Sequence, residues 1–275
     1  VVAAEVWITA PCLVPTAEVS EQQLVGKRGV DSQSLQVNTT TLKEVGLLVF
    51  TSCVQPSDLE PLLSAVDSRI QAAEENLSTK HPDIQIGMHL FAFMEMSSRG
   101  EQRFDLLFDE HALPSAIDQL ARNGPWVPTV SSVLGDQFKF AVSIVYSRPG
   151  AKEQDWHSDG KHIGVVGDFN GKEAAAPYAL CVFMTLIDLD YAVGFTQFWP
   201  ASHQNPGLAG FGPAAEVLGA TYNGIMEAGG ALIYDYRLMH RGMPNKGDRQ
   251  RPLLQFLYHD PEYQETKNYG KDFLF

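Results

Sequence analysis

The spacing of apolar residues divides the chain into a helical part followed by a strand-rich part. Residues 42–50 (LKEVGLLVF) end in an apolar, β-friendly run and predict a first strand. Pro56, Ser57 and Asp58 then open a helix, with Ser57 placed to cap it and Glu60, three residues on, completing a capping box. Leu59, Leu62, Leu63, Val66 and Ile70 repeat at helical spacing, so this helix buries one face. A second, short helix is predicted from Pro114 and Ser115 to Asn123 and Gly124. From there the texture changes. Residues 138–147 (FKFAVSIVYS), 178–188 (YALCVFMTLID), 195–199 (FTQFW), 231–235 (ALIYD) and 252–258 (PLLQFLY) read as strands, with Gly and Pro between them. Helices first and short antiparallel strands afterwards favour an α+β, mainly β protein with a sandwich or jelly-roll core. Strands and helices do not alternate, which argues against a Rossmann or TIM-barrel plan. Residues 15–45 are polar and Ser/Thr/Gln-rich and read as a surface lead-in, so an arm over 1–40 and one domain over 41–275 are expected.

Composition narrows the class. A chain of 275 residues with 44% hydrophobic and 19% charged residues can bury one sizeable core. No apolar run approaches the ~18 residues a membrane span needs. The opening VVAAEVWITAPCLVP lacks a basic region, so no signal peptide is read and a cytoplasmic location is expected, with an earlier, removed targeting segment left open. A net charge of -13 disfavours nucleic acid. Cys12, Cys53 and Cys181 form neither a disulfide framework nor a CxxC pair, which fits a reducing compartment. The sequons at Asn38 and Asn76 are of a kind that arises by chance and carry little weight.

The chemistry concentrates in YSRPGAKEQDWHSDGKH, residues 146–162. His157 and Asp159 are two apart, and in extended chain such residues point to one side. One imidazole and one carboxylate can thus converge on one ion. The best third ligand is His240, which follows the strand ALIYD and precedes a turn-rich loop. Two His and one carboxylate, with three open positions, make the facial triad of iron(II) oxygenases. Arg251 comes eleven residues after His240, at the start of an apolar strand, where a guanidinium can grip a carboxylate by two bonds. Arg249 is nearby, and position at the strand start favours Arg251. Tyr146 and Ser143, on the strand entering the ligand segment, are candidates to hydrogen-bond a co-substrate, as are Thr185 and Thr196.

These pieces resemble the phytanoyl-CoA dioxygenase family of iron(II)/2-oxoglutarate oxygenases. WHSDG matches the family's H-x-D, and GFTQFWPASH (194–203) is similar to its G-x-T-x-F-x-P-G-S-H signature. HRGMPN carries its distal His and RPLLQF its 2-oxoglutarate Arg, so the resemblance covers residues 40–275. It implies a double-stranded β-helix (jelly-roll, cupin-like) core with flanking helices. It implies iron(II) held by His157, Asp159 and His240, 2-oxoglutarate anchored by Arg251, and O2 as oxidant, with ascorbate as reductant in vitro. The implied reaction oxidises a C–H bond, most simply to an alcohol, while 2-oxoglutarate becomes succinate. Cyclisation or desaturation can branch from the same chemistry. Two departures stand out. Ala201 replaces the signature's Gly, and Gly242 stands where members often place a Ser two residues after the distal His. Asp159 is kept, whereas relatives that halogenate have lost this carboxylate.

Other residues have simpler expected roles. His162 reads as a solvent-facing loop residue, His203 as a structural hydrogen-bonding one, and His259 as non-catalytic. Trp156 either shields the metal or packs, and Phe91, Phe93, Met94 and Met96 read as core before pocket. Arg148, Lys152, Lys161, Arg237, Arg241, Lys246, Arg249 and Arg251 crowd the ligand segments of an acidic chain. A cationic mouth of that kind favours a small anionic substrate, such as a carboxylate or an acyl thioester. Specificity is expected from 80–105, 161–176 and 204–218. Two further readings are weighed: another metal enzyme on the same fold, against which Arg251 argues, and a silent binding module, against which the intact triad argues.

Overall fold

The computed structural model describes residues 21–26, 31–162, 176–208, 210–265 and 268–275. Helices α1 (Glu21–Leu24) and α2 (Ser32–Val45) lead into strand β1 (Leu47–Phe50), and α3 (Pro56–Lys80) follows. The Asp31 carboxylate caps α2 by accepting from the amides of Gln33 and Ser34, and Gly46, at φ 77, ends it. Within the segment read as a surface lead-in, Ser32–Val45 is thus helical. Helix α2 is polar because it lies on the outside and buries only Asn38 and Leu42. The expected arm boundary at residue 40 falls inside α2, while residues 1–20 and 27–30 lie outside the described residues. The expected strand over 42–50 is accordingly shortened to β1. Helix α3 starts with Pro56 in its first turn after Gln55, so Ser57 falls inside the helix and bonds Asp58 instead of capping. Its predicted apolar face holds, with Leu62, Val66 and Ile70 buried and the face continued by Ala73 and Leu77.

Two strands the sequence reading missed come next, β2 (Met96–Ser98) and β3 (Arg103–Leu107). Helices α4 (Ser115–Asn123) and α5 (Val127–Leu134) precede β4 (Lys139–Ser147), β5 (Ala179–Thr185) and β6 (Thr196–Phe198). A short helix α6 (Pro213–Val217) separates these from β7 (Tyr222–Asn223), β8 (Ala231–Asp235), β9 (His240–Gly242) and β10 (Arg251–His259). Seven strands form an antiparallel sheet in the order β1-β8-β5-β10-β4-β3-β2, and β7-β6-β9 form a second sheet of three. The mainly β architecture is the jelly-roll type expected.

The large sheet is buried on both faces, which explains its long apolar runs. In β5, Leu180, Val182 and Met184 face the helices and pack with Leu62, Val66 and Ile70 of α3. Cys181 and Phe183 face the other way, toward Phe198 of the small sheet and Tyr234 of β8. One strand face thus holds the helical layer, and the other is available to line a site. Trp126 closes the helical side, donating from Nε1 to the Tyr258 hydroxyl at 2.8 Å, which donates on to the Ala121 carbonyl at 2.7 Å.

Candidate metal centre and its cavity

His157 and His240 are locked together by backbone before their side chains meet. The His157 amide donates to the His240 carbonyl at 2.9 Å, and the His240 amide donates back at 2.8 Å. Each ring then turns its Nδ1 to a carbonyl two residues earlier, His157 to Asp155 at 2.7 Å and His240 to Leu238 at 2.9 Å. This sets the tautomer in which Nε2 is the ligand atom and faces Asp159. Those Nε2 atoms lie 3.9 and 3.5 Å from the two Asp159 oxygens. All three ligand atoms fall within 4.8 Å of one another. Ligands about 2.1 Å from an ion at right angles are roughly 3 Å apart, so a small inward movement closes the set on a metal. The Tyr234 hydroxyl donates to Asp159 Oδ2 at 2.9 Å. Burial opposes ionisation of Asp159, but the facing His240 and His157 with this hydroxyl outweigh it and hold the carboxyl below its ordinary value. The donor set, two imidazole nitrogens and one carboxylate oxygen, fits iron(II).

Beside the triad a cavity of about 1150 Å³ is lined by the inward faces of β3, β4 and β10. Sheet register sets its chemistry. Arg103 of β3 pairs with Ser147 of β4, and Ser147 pairs with Arg251 of β10, so the three form one row across adjacent strands. Each contributes a buried side-chain atom with no hydrogen-bond partner among the described residues: Arg103 Nη1, Ser147 Oγ and Arg251 Nε. The two guanidinia meet at the Met243 carbonyl, which accepts from Arg103 at 2.7 Å and from Arg251 at 3.4 Å. Neither forms an ion pair among the described residues. Burial, then the proximity of Arg103, pushes Arg251 well below its ordinary pKa, and burial brings Arg103 down to about 10. Two desolvated cations beside orphaned donors make a cradle for a carboxylate, the group that 2-oxoglutarate would present. Gly194 lets Arg251 lie this close, since a Cβ there would stand 2.8 Å from its Nη1.

The predicted site residues fare differently. The structure brings His157, Asp159, His240, Arg251 and Thr196 to this cavity. Arg249 is exposed, whereas Arg251 is buried in the cavity wall. Tyr146 is a correction. Ala141, Ser143 and Val145 of β4 line the cavity, so Tyr146 falls on the opposite face, its ring 5.0 Å from Phe104 in the helical core. Thr185 bonds the Ile187 carbonyl instead. His162, expected to face solvent, is half-buried and bonds the His203 carbonyl at 3.1 Å, and His203 bonds the Lys43 carbonyl. His259 lines the cavity, with Nδ1 on the Asp260 carbonyl. Trp156 is stacked under Arg241 at 4.9 Å. Phe91, Phe93 and Met96 are core, and Met94 is at the cavity.

The expected cationic mouth does not form. Of its eight residues only Lys152 and Arg251 line the cavity. Arg148 is tied to Glu74, Arg237 to Asp235, Arg241 to Glu153 and Glu216, and Lys152 to Glu101. The acids that neutralise them sit close in space, which a count of positive residues overlooks. Residues 163–175 of the expected specificity segment lie outside the described residues.

Residues 42–253 match the family model for phytanoyl-CoA dioxygenase. The chain belongs to the phytanoyl-CoA dioxygenase family. It is an iron(II)- and 2-oxoglutarate-dependent oxygenase. Solved structures share its fold at low identity. The epimerase SnoN, in complex with Fe3+, α-ketoglutarate and nogalamycin RO, is 14% identical with a TM-score of 0.58, over 88% of this chain and 96% of that one. HygX from Streptomyces hygroscopicus, with nickel and 2-oxoglutarate bound, is 13% identical with a TM-score of 0.58, over 86% and 94%. The carbocyclase SnoK from nogalamycin biosynthesis is 16% identical with a TM-score of 0.55, over 81% and 83%. Among the described residues no helix is long and apolar enough to cross a membrane.

Sequence reasoning missed Arg103, Ser147 and Tyr234. The signal for Arg103 was present: RFDLL alternates, with Phe104 and Leu106 buried in the helical core and Arg103 and Asp105 turned to the cavity. Its two charges disguised it as a turn.

Proposed function

We propose that this oxygenase hydroxylates a C–H bond of a small organic substrate, with iron held by His157, Asp159 and His240 and 2-oxoglutarate held at its far carboxylate by Arg251, Arg103 and Ser147. The observation that carries the reading is the row of three orphaned polar atoms beside a preoriented His-Asp-His set. Bound iron with 2-oxoglutarate and O2 supplies an oxidant for unactivated C–H bonds, and 2-oxoglutarate leaves as succinate and CO2. The protein's own part is positional. The two backbone carbonyls hold both imidazoles in one tautomer, and Tyr234 holds the carboxylate. Arg251 and Arg103 fix the co-substrate's distance from the triad, and the buried walls limit water. Gly242 supplies no hydroxyl. Arg103 Nη1 fills that space, since a Cβ at Gly242 would lie 2.7 Å from it.

The test is succinate formation from 2-oxoglutarate with iron(II), ascorbate and O2, without added substrate. Slow uncoupled turnover is expected, lost in His157→Ala and Asp159→Ala, with a raised 2-oxoglutarate requirement in Arg251→Ala. Absence of the visible iron–2-oxoglutarate charge-transfer band under anaerobic conditions would sink the assignment.

A further inference from the structure

Two residues along β3 from Arg103, on the same cavity-facing side, stands Asp105. Its Oδ2 accepts from Arg99 Nε at 2.5 Å. Arg99 is itself strapped to the C-terminal segment, donating from Nη2 to the Asn268 carbonyl at 2.5 Å with Tyr269 beneath its guanidinium. One carboxylate oxygen is therefore fixed and compensated. The other, Oδ1, is buried in the cavity wall with no hydrogen-bond partner among the described residues, and Asp105 is only 9% exposed. A buried acceptor left unmet is costly, so the site is completed by whatever donates to it. Burial raises the Asp105 carboxyl above its ordinary pKa, and the Arg99 guanidinium on Oδ2 opposes this and favours the charged form. Asp159 and His157 of the triad also act on its charge.

The rest of the cavity says what carries that donor. At its edge Met88, Leu90 and Met94 are 75%, 83% and 39% exposed, an apolar lip on a site whose wall continues through Leu107 and Leu257. Exposed apolar side chains gathered at a cavity mark a ligand surface.

We propose that Asp105 is the substrate-orienting acceptor of this site, and that the substrate carries a hydroxyl or protonated amino head on an apolar body. The inference rests on the oxygenase reading and deepens it. An anionic head is disfavoured, because it would meet Asp105 Oδ1 directly. Asp105 orients the substrate and takes no part in the oxidation.

The test uses the anaerobic complex of the protein with iron(II) and 2-oxoglutarate. Hexylammonium, hexan-1-ol and hexanoate, one apolar body with three heads, are titrated by calorimetry. In the wild-type protein hexylammonium binds tightest and hexanoate weakest, by roughly ten- to hundredfold, the worth of one charge-assisted hydrogen bond. In Asp105→Asn the amide oxygen turns to Arg99 and the amide NH2 faces the cavity, so the order of hexylammonium and hexanoate reverses. The charge-transfer band monitors folding and loading in both proteins. Equal affinities, a preference for hexanoate, or no binding of any probe to wild-type protein with the band present overturns the proposal. Loss of the band in the wild type overturns the oxygenase reading beneath it. If Asp105→Asn alone loses the band, the wild-type ranking decides.

Discussion

Gly242 tests whether Arg103 has taken over the role of the absent serine. A methyl at residue 242 would press on Gln154 Oε1 and lie 2.7 Å from Arg103 Nη1. Both obstacles are the ends of flexible side chains, so Gly242→Ala should fold. Crowding and the entropy gain of Gly→Ala oppose each other, leaving stability changed by less than about 1 kcal/mol. The ligand, in contrast, should feel it. Arg103 is held by the Lys152 and Met243 carbonyls through Nη2, so Nη1 is the atom free to reach a carboxylate. Displacing it removes one charge-assisted hydrogen bond, about 1.5–3 kcal/mol, or roughly ten- to hundredfold in 2-oxoglutarate affinity. Anaerobic calorimetry of 2-oxoglutarate binding to the iron-loaded protein reads this. The control is a double-mutant cycle. In an Arg103→Ala background Gly242→Ala should cost nothing, because the group it displaces is gone. Additive losses would refute the reasoning, and so would a Gly242→Ser variant that binds 2-oxoglutarate more tightly than wild type.

Two further outcomes follow from single contacts. Ala201, which replaces the signature's glycine, sits at φ 62, where a Cβ is strained. Ala201→Gly should therefore stabilise the protein by roughly 0.5–1 kcal/mol after the glycine's extra unfolded-state entropy is deducted, and a lowered melting temperature would contradict this. Tyr234→Phe removes the hydroxyl that holds Asp159 Oδ2 and should weaken iron(II) or manganese(II) affinity by roughly ten- to hundredfold with the fold kept; unchanged metal affinity would show that the hydroxyl does not tune the ligand.

The convergence of His157, Asp159, His240 and Arg251 and the later strands were legible because each has a local signature. His157 and Asp159 share one side of an extended segment, and β4, β5, β8 and β10 are apolar runs because both their faces are buried. The helix α2 was not legible, since a helix on the outside buries too little to show a periodic stripe. Nor was β3, where charged residues alternate with core ones and resemble a loop. Tyr146 was misplaced by one step of that same alternation. The strand was right, but odd-numbered residues face the cavity and even-numbered ones the helices. Side of a strand is a register property, and register depends on partners that sequence spacing does not name.

That alternation also orders the chemistry of the cavity. Arg103 and Asp105 lie on one face of one strand, two residues and so about 6.7 Å apart. Among the described residues, the wall changes over that step from donors without acceptors to an acceptor oxygen without a donor. A carboxylate is drawn to the first position and repelled from the second, whereas an ammonium is drawn to the second and repelled from the first, and a hydroxyl can donate to the second. Because the backbone ladder to β4 fixes the spacing, the co-substrate carboxylate and an ammonium head would each keep to their own position. A second molecule of 2-oxoglutarate is likewise excluded from the substrate position. Asp105→Asn should weaken that exclusion, so inhibition by excess 2-oxoglutarate should appear in the variant and be absent from the wild-type protein. Inhibition of the same strength in both would show that the carboxylate does not police the boundary.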